Sequence, residues 1–174
     1  MMSTLRGFRA GCAGLTALEI VIAVCVVVGL SALTAKPITQ MVYRIRVHNA
    51  ADGIKRMVQN ARMRAIASPD RYCGVVFRFH AAGSAVNDTV FTYLDANPSN
   101  KTWVPGQDQT YLSPYVVPRK QGIAISIPAG FPSELVFRAD GSASASAKVV
   151  LTLKGIRDTL DVLASTGRVK VVKK

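Results

Sequence analysis

The run from Gly14 to Pro37 does most to limit what this chain can become. It reads Gly14, Leu15, Thr16, Ala17, Leu18, Glu19, then an apolar series from Ile20 to Ala35 interrupted only by Gly29, Ser31 and Thr34, then Lys36 and Pro37. Leu15 to Ala35 is 21 residues with a single charge. As a helix, that length crosses a bilayer core of roughly 30 Å, so residues 15–36 are expected to form a transmembrane segment. The one charge, Glu19, lies near the N-terminal end of the span. A carboxylate there costs on the order of a few kcal/mol and marks a functional group by default. The plainer alternative is a Glu that snorkels to the membrane surface.

The preceding residues separate these accounts. Residues 1–14 carry Arg6 and Arg9, no acid and no apolar core. An ordinary secretory signal runs basic, apolar, then cleavage site. Here the cleavable-looking Gly14 comes before the apolar run, so cutting there leaves the run on the mature protein with Leu15 first and Glu19 fifth. A lipoprotein signal ending at Gly11-Cys12 is excluded because Arg9 stands where an aliphatic is needed and no apolar stretch precedes Cys12. A plain single-span anchor explains the apolar run but neither Glu19 nor the Gly14 junction.

This arrangement resembles the class III leader of type IV pilins and type II secretion pseudopilins: a basic leader ending in Gly, a hydrophobic first residue, Glu at the fifth, a long apolar run and often a Pro just after it. Gly14, Leu15, Glu19 and Pro37 match. The resemblance implies cleavage between Gly14 and Leu15 by a membrane prepilin peptidase, N-methylation of Leu15, anchoring in the bacterial inner membrane with a periplasmic C-terminal domain, and packing beside other pilins or pseudopilins in a filament. Glu19 then has an assembly role. In a staggered array its carboxylate meets the cationic N-terminus of Leu15 in a neighbour, which offsets its burial and sets register.

With 174 residues the chain has room for one such helix and one modest domain. Its net charge of +12 falls to +10 when Arg6 and Arg9 leave with the leader. That excess favours anionic partners; the plainer account is solubility. Cys12, Cys25 and Cys73 fall in the leader, the span and the domain, so no intradomain disulfide is expected and Cys73 reads as a buried small apolar residue.

After Pro37 a helical pattern continues to Ala67. Ile38, Met41, Val42 and Ile45 form one stripe. Val47, Ala50, Ala51, Ile54, Val58, Ala61 and Ala65 form a second on nearly the opposite side. The first is expected to face other subunits or the membrane boundary, and the second to lie on the protein's own sheet. Gly29 and Pro37 are the expected bending points, and Ser68-Pro69-Asp70 stops the helix. Residues 37–67 are thus an amphipathic periplasmic half-helix and residues 68–174 a β-rich domain. Period-two runs predict strands at 72–80, 89–94, 122–127, 134–138, 148–153, 159–165 and 168–172, with turns at Gly83-Ser84, Asn87-Asp88, Asp140-Gly141, Lys154-Gly155 and Thr166-Gly167. Asp95 to Lys120 reads as a long loop holding one short strand. The expected fold class is α+β, a long N-terminal helix packed on a C-terminal antiparallel sheet.

The end of the chain sharpens the resemblance. The helix end Asn60-Ala61-Arg62-Met63-Arg64-Ala65-Ile66, then Leu135-Val136-Phe137 before Asp140-Gly141, and the closing Gly167-Arg168-Val169-Lys170 look like the GspH/FimT family of minor pilins. DNA-uptake members of that family end in Gly-Arg-x-Arg; here Lys170 stands for the second Arg and binds phosphate as a point charge without the bidentate fork. The resemblance implies a double-stranded DNA contact through Arg168, Lys170, Lys173 and Lys174, with Arg157 of the preceding hairpin adding to it. The alternative is a GspH-like pseudopilin that primes a secretion filament and binds no DNA. Enzyme chemistry and cofactors find no support. His48 and His80 are isolated, no Gly-rich phosphate loop or metal-ligand spacing is present, and Asp158 and Asp161 read as solvated turn residues.

Overall fold

The computed structural model describes residues 16–80, 86–95, 101–118 and 121–173, the side chains of 32–36 excepted. The chain divides into two compact units, Met1–Gln40 and Met41–Lys174. One helix, α1, runs Ala17–Ala67 with Pro37 inside it.

In the first unit every described side chain of the helix is exposed, including Leu18, Ile20, Val21, Ile22, Val24 and Leu30. Among the described residues no helix is long and apolar enough to cross a membrane. The described side chains of the apolar run cover 17–31, about 22 Å at 1.5 Å per residue. Leu15 and the side chains of 32–36, which complete the expected span, lie outside the described residues. So do Gly14 and the turn at Gly83-Ser84.

The second unit holds the core. Val47, Ala50, Ala51, Ile54, Val58, Ala61 and Ala65 are all buried, and Met57 joins them. Val42 and Ile45, of the opposite stripe, are exposed. The buried stripe packs in one cluster with the inner faces of two antiparallel sheets. The first sheet contains β1 (Cys73–Arg78), β2 (Asp88–Leu94), β3 (Gln109–Thr110), β4 (Tyr115–Val117) and β6 (Glu134–Phe137); β1 pairs with β2 and β6, while β3 and β4 both pair with β2. The second contains β5 (Ala124–Ser126), β7 (Ala147–Leu153), β8 (Ile156–Val162) and β9 (Val169–Lys173), in the order β5-β7-β8-β9. Within the 95–120 segment the structure has two strands where the sequence suggests one. Elements of two and three residues are too short to show a period.

The β7–β8 hairpin turns on Lys154 and Gly155, with φ of +48° and +87° and Leu153 paired to Ile156. Two positive φ values at the central positions match the twist of the flanking strands. β8 therefore starts at Ile156, three residues earlier than the sequence suggests, and this shift moves Asp158 out of a turn and into a strand.

A second junction closes the domain beyond β6. Arg62 donates from Nε to the Gly141 carbonyl at 3.1 Å. Gly167, with φ of +59°, lies against the same carbonyl, so close that a Cβ there would stand 2.1 Å from it. The helix end, the Asp140-Gly141 turn and the Thr166-Gly167 turn thus meet at one oxygen.

Gly167→Ala and Gly155→Ala separate two costs. Both force Ala to a positive φ, at about 1–2 kcal/mol. Gly155 has open space around its missing Cβ, whereas Gly167 meets backbone. Gly167→Ala should lose a further 1–3 kcal/mol, roughly, from the forced shift. Thermal or urea unfolding of the full chain in detergent reads the difference, and equal losses would disprove the close contact.

Candidate functional site

The functional candidates fall at the start of the helix and on the last strand. At the start, Thr16 and Glu19 form a reciprocal cap. The Glu19 amide donates to Thr16 Oγ1 at 3.3 Å, while the Thr16 amide and hydroxyl donate to Glu19 Oε2 at 3.1 and 3.2 Å. This is a Thr-x-x-Glu capping box, which satisfies two orphan donors of the first turn and sets an anion at the positive end of the helix. The carboxylate is exposed. Chemically it can hold the first turn of its own helix and still meet a cation from outside. Gly14 and Leu15, the expected processing residues, lie outside the described residues.

On β9 the alternation is clear. Val169 and Val171 pack against the core cluster, whereas Arg168 and Lys170 are exposed on the other side. Pairing continues through Asp158↔Lys173. Lys173 therefore sits inside the strand, in phase with Val169 and Val171, rather than past the strand end beside Lys170. Lys174 lies outside the described residues. Lys170 is paired with Asp161, and Asp161 with Lys148 on β7. The Lys148 ammonium stands 3.7 Å from the Asp161 carboxylate. A cation–anion–cation row thus crosses three strands, and its central acid weakens the positive field around Lys170. Arg157 shares this outer face, but Leu163 donates its amide to the Arg168 carbonyl, which sets Arg168 six residues along β8 from Arg157, about 20 Å. The structure does not gather Arg157, Lys170 and Arg168 into one compact cluster.

Sequence reasoning missed a second arrangement. Asp158, read as a solvated turn residue, is fully buried, and its Oδ2 lies 2.5 Å from His48 Nδ1 on the helix. Asp158 is in phase with Ile156, Leu160 and Val162, so its side chain faces the helix. The available signal was the period-two run starting at Ile156. Asp161, by contrast, is half-buried on the outer face. A buried carboxylate needs a partner, and the half-exposed His48 supplies one across 110 residues of sequence. His80, the other histidine, is fixed locally: its amide donates to Asp88 Oδ1 at 2.8 Å.

Cys73 is buried, and that burial pushes its thiol up to about 11 while Arg64 pulls weakly the other way. A thiol held protonated is a poor nucleophile and metal ligand. Among the described residues no group of three His, Cys, Asp or Glu side chains could hold a metal ion.

No protein-family model and no curated protein sequence matches the chain. Its fold is similar to that of the type IV minor pilin FimU of Pseudomonas aeruginosa strain PAO1. One FimU crystal form matches with a TM-score of 0.53 at 15% identity, covering 74% of this chain and 90% of that one. A second crystal form gives 0.45 at 14% identity, with coverage of 72% and 91%. The fold is therefore pilin-like, α+β, with a helix packed on antiparallel sheet.

The His48–Asp158 pair should behave as a unit. His48→Gln leaves a buried carboxylate without its partner and should cost about 2–3 kcal/mol, less than the 3–5 of a fully buried pair because His48 is partly solvated. In the His48→Gln/Asp158→Asn double variant, where no charge remains to bury, much of that loss should return. A double-mutant cycle on unfolding free energies measures it, and strictly additive losses would show the two groups to be uncoupled.

Proposed function

We propose that this chain is a minor-pilin-like subunit of a type IV pilus or a related secretion filament. The observation that carries the reading is the helix in its pilin-like setting. One stripe is sealed onto the protein's own sheets, and among the described residues apolar side chains outside it, such as Leu18, Val21, Met41 and Ile45, remain exposed, as a subunit that packs beside others requires. The class III-like leader supports maturation by a prepilin peptidase between Gly14 and Leu15, N-methylation of Leu15, and retention of residues 15–36 as an inner-membrane anchor with the domain in the periplasm. Before cleavage Leu15 has no free amine. Assembly then waits on processing, because only afterwards can Glu19 of one subunit pair with the N-terminus of the next.

Within this reading the GspH/FimT resemblance favours a FimT-like subunit that touches DNA, and the exposed Arg168, just before β9, and Lys170, on its outer face, are the observation in its favour. Such a patch binds phosphates without reading bases, so affinity is sequence-independent and steeply salt-dependent. The alternative, a GspH-like pseudopilin without DNA binding, shares everything except this property.

Mass spectrometry of filament preparations should find the subunit starting at methylated Leu15. Gly14→Val should stay unprocessed. Glu19→Val should be processed and inserted but largely missing from filaments. An intact Met1 in a host with the peptidase would sink the pilin reading, and wild-type recovery of Glu19→Val would sink the register role.

For DNA, the full chain in detergent should shift duplex DNA at low salt, and Arg168→Gln/Lys170→Gln should lower the log–log salt slope by about two units. Unchanged binding in that variant removes β9 as the site. No binding by the wild type at low salt leaves the pseudopilin reading.

A further inference from the structure

The first sheet has an outer face as well as an inner one. At its centre the Tyr93 ring lies over Gly74, where a Cβ would come within 2.1 Å of it. The Tyr93 hydroxyl donates to the Glu134 carboxylate. Trp103 packs edge-on against Phe91 and Tyr93, with centroids 5.1 and 5.2 Å apart. These rings fill the middle of the face.

At one end the face opens. Tyr72 precedes β1 and Arg138 follows β6, one step beyond the Cys73↔Phe137 pair. Both line two adjoining hollows of about 190 and 420 Å³. Lys101 walls the first and Arg71 the second. The Lys101 ammonium stands 5.4 Å from the centroid of the Tyr72 ring. Its backbone φ is +54°, a left-handed conformation that a lysine seldom adopts and that tends to gather at ligand clamps.

Three acids also line the cleft. Glu134 is engaged by the Tyr93 hydroxyl and by the Trp103 amide at 2.6 Å. Asp140 Oδ1 accepts the Ser142 amide at 2.8 Å, and the Ser142 side chain, that amide and, less, the nearby Arg138 hold its carboxyl below the usual range. Asp70 is the third. Hydrogen bonding leaves these carboxylates charged, so Arg71, Lys101 and Arg138 are balanced by three acids, two of which, Glu134 and Asp140, are held by donors of their own. Ser144 Oγ accepts the Val136 amide at 3.1 Å, which leaves its hydroxyl proton for a ligand oxygen.

We propose that this cleft takes one nucleotide of single-stranded DNA, with its base on the Tyr72 ring in place of the Lys101 ammonium and its phosphate between Arg138 and Lys101. The proposal rests on the DNA-contact reading above and extends it from phosphates to a base face. An aromatic ring flanked by cations suits any base, because every base has a π-face. A duplex keeps its base faces stacked, so only an unpaired strand or a frayed end can reach the ring. A polymer fits better than a free nucleotide because the junction at the Gly141 carbonyl joins the turn after Arg138 to the turn before Arg168.

Trp103 is the single tryptophan of the chain and follows Lys101 and Thr102 of the cleft wall, so its fluorescence reports on occupancy. The full chain in detergent is titrated with oligothymidylate, duplex DNA and thymidine monophosphate. Oligothymidylate should change the Trp103 emission and bind about tenfold or more tighter than the monophosphate. Tyr72→Leu should weaken it about tenfold, as loss of one stacked base does, while Tyr72→Phe retains binding; Arg138→Gln should weaken it through the lost phosphate contact and lower the salt slope by about one unit. Arg168→Gln/Lys170→Gln should weaken both DNA forms yet keep the emission change at saturation. Oligothymidylate binding that depends on Arg168 and Lys170 but not on Tyr72 or Arg138 overturns the cleft and leaves the β9 site standing. Equal affinity for the monophosphate overturns the polymer assignment. No binding to either DNA overturns the cleft and the β9 site together.

Discussion

Alanines at 50, 51, 61 and 65 share one buried helix face that packs in a single cluster with two sheets, and the domain depends on that face. Between them Val47, Ile54 and Val58 reach into the gap, where they meet Cys73, Val75, Leu135 and Phe137 from one sheet and Val149, Leu151, Leu160 and Val162 from the other. Each large aliphatic sealed this way contributes about 1.5–3 kcal/mol. Because one helix face serves both sheets, the sheets need little direct pairing, and the chain crosses between them through short strands and turns. Gly53 extends the same logic to the loop side. Its missing Cβ makes room for the Tyr115 ring, and the Tyr115 hydroxyl donates to the Asn49 carbonyl at 3.3 Å.

The polar features occur where that packing must be given direction. Apolar contacts alone would tolerate sliding of the helix along the sheets. The His48–Asp158 pair and the Arg62–Gly141 bond pin it at two points, 14 residues apart on the helix. Both partners of Arg62's junction are glycines with positive φ, and both turns lie directly beside the cations Arg138 and Arg168. The same contacts that fix the helix therefore fix where those guanidinium groups emerge.

Much of this was legible in the sequence. The inner stripe from Val47 to Ala65 shows because seven small or apolar residues repeat at helical spacing; the buried positions it leaves out are Gly53 and Met57, which break no pattern. The strands with clear alternation, such as Cys73–Arg78 and Ala147–Leu153, were visible for the same reason, and the Lys154-Gly155 turn was visible from its residue types. Asp158 was not, because an aspartate three residues past Gly155 of the hairpin reads as a turn residue unless its burial partner, 110 positions away, is known. The two short strands on β2 were hidden because two or three residues carry no period. The cleft at Tyr72 and Arg138 was hidden because it is assembled from three separate segments.

The last strand has a further consequence for how the protein behaves in bulk. β9 ends its sheet, and among the described residues its outer edge pairs with no strand. An unpaired edge is a template for adding another chain, and charged side chains along it are a common safeguard. Arg168, Lys170 and Lys173 provide that safeguard here by mutual repulsion between approaching copies. Such repulsion acts over the Debye length, which shrinks from about 10 Å at 0.1 M salt to about 3 Å at 1 M. The colloidal stability of the domain is thus tied to ionic strength. In dilute salt its edges keep apart, and in concentrated salt the barrier to edge-to-edge association falls although the fold itself is unchanged.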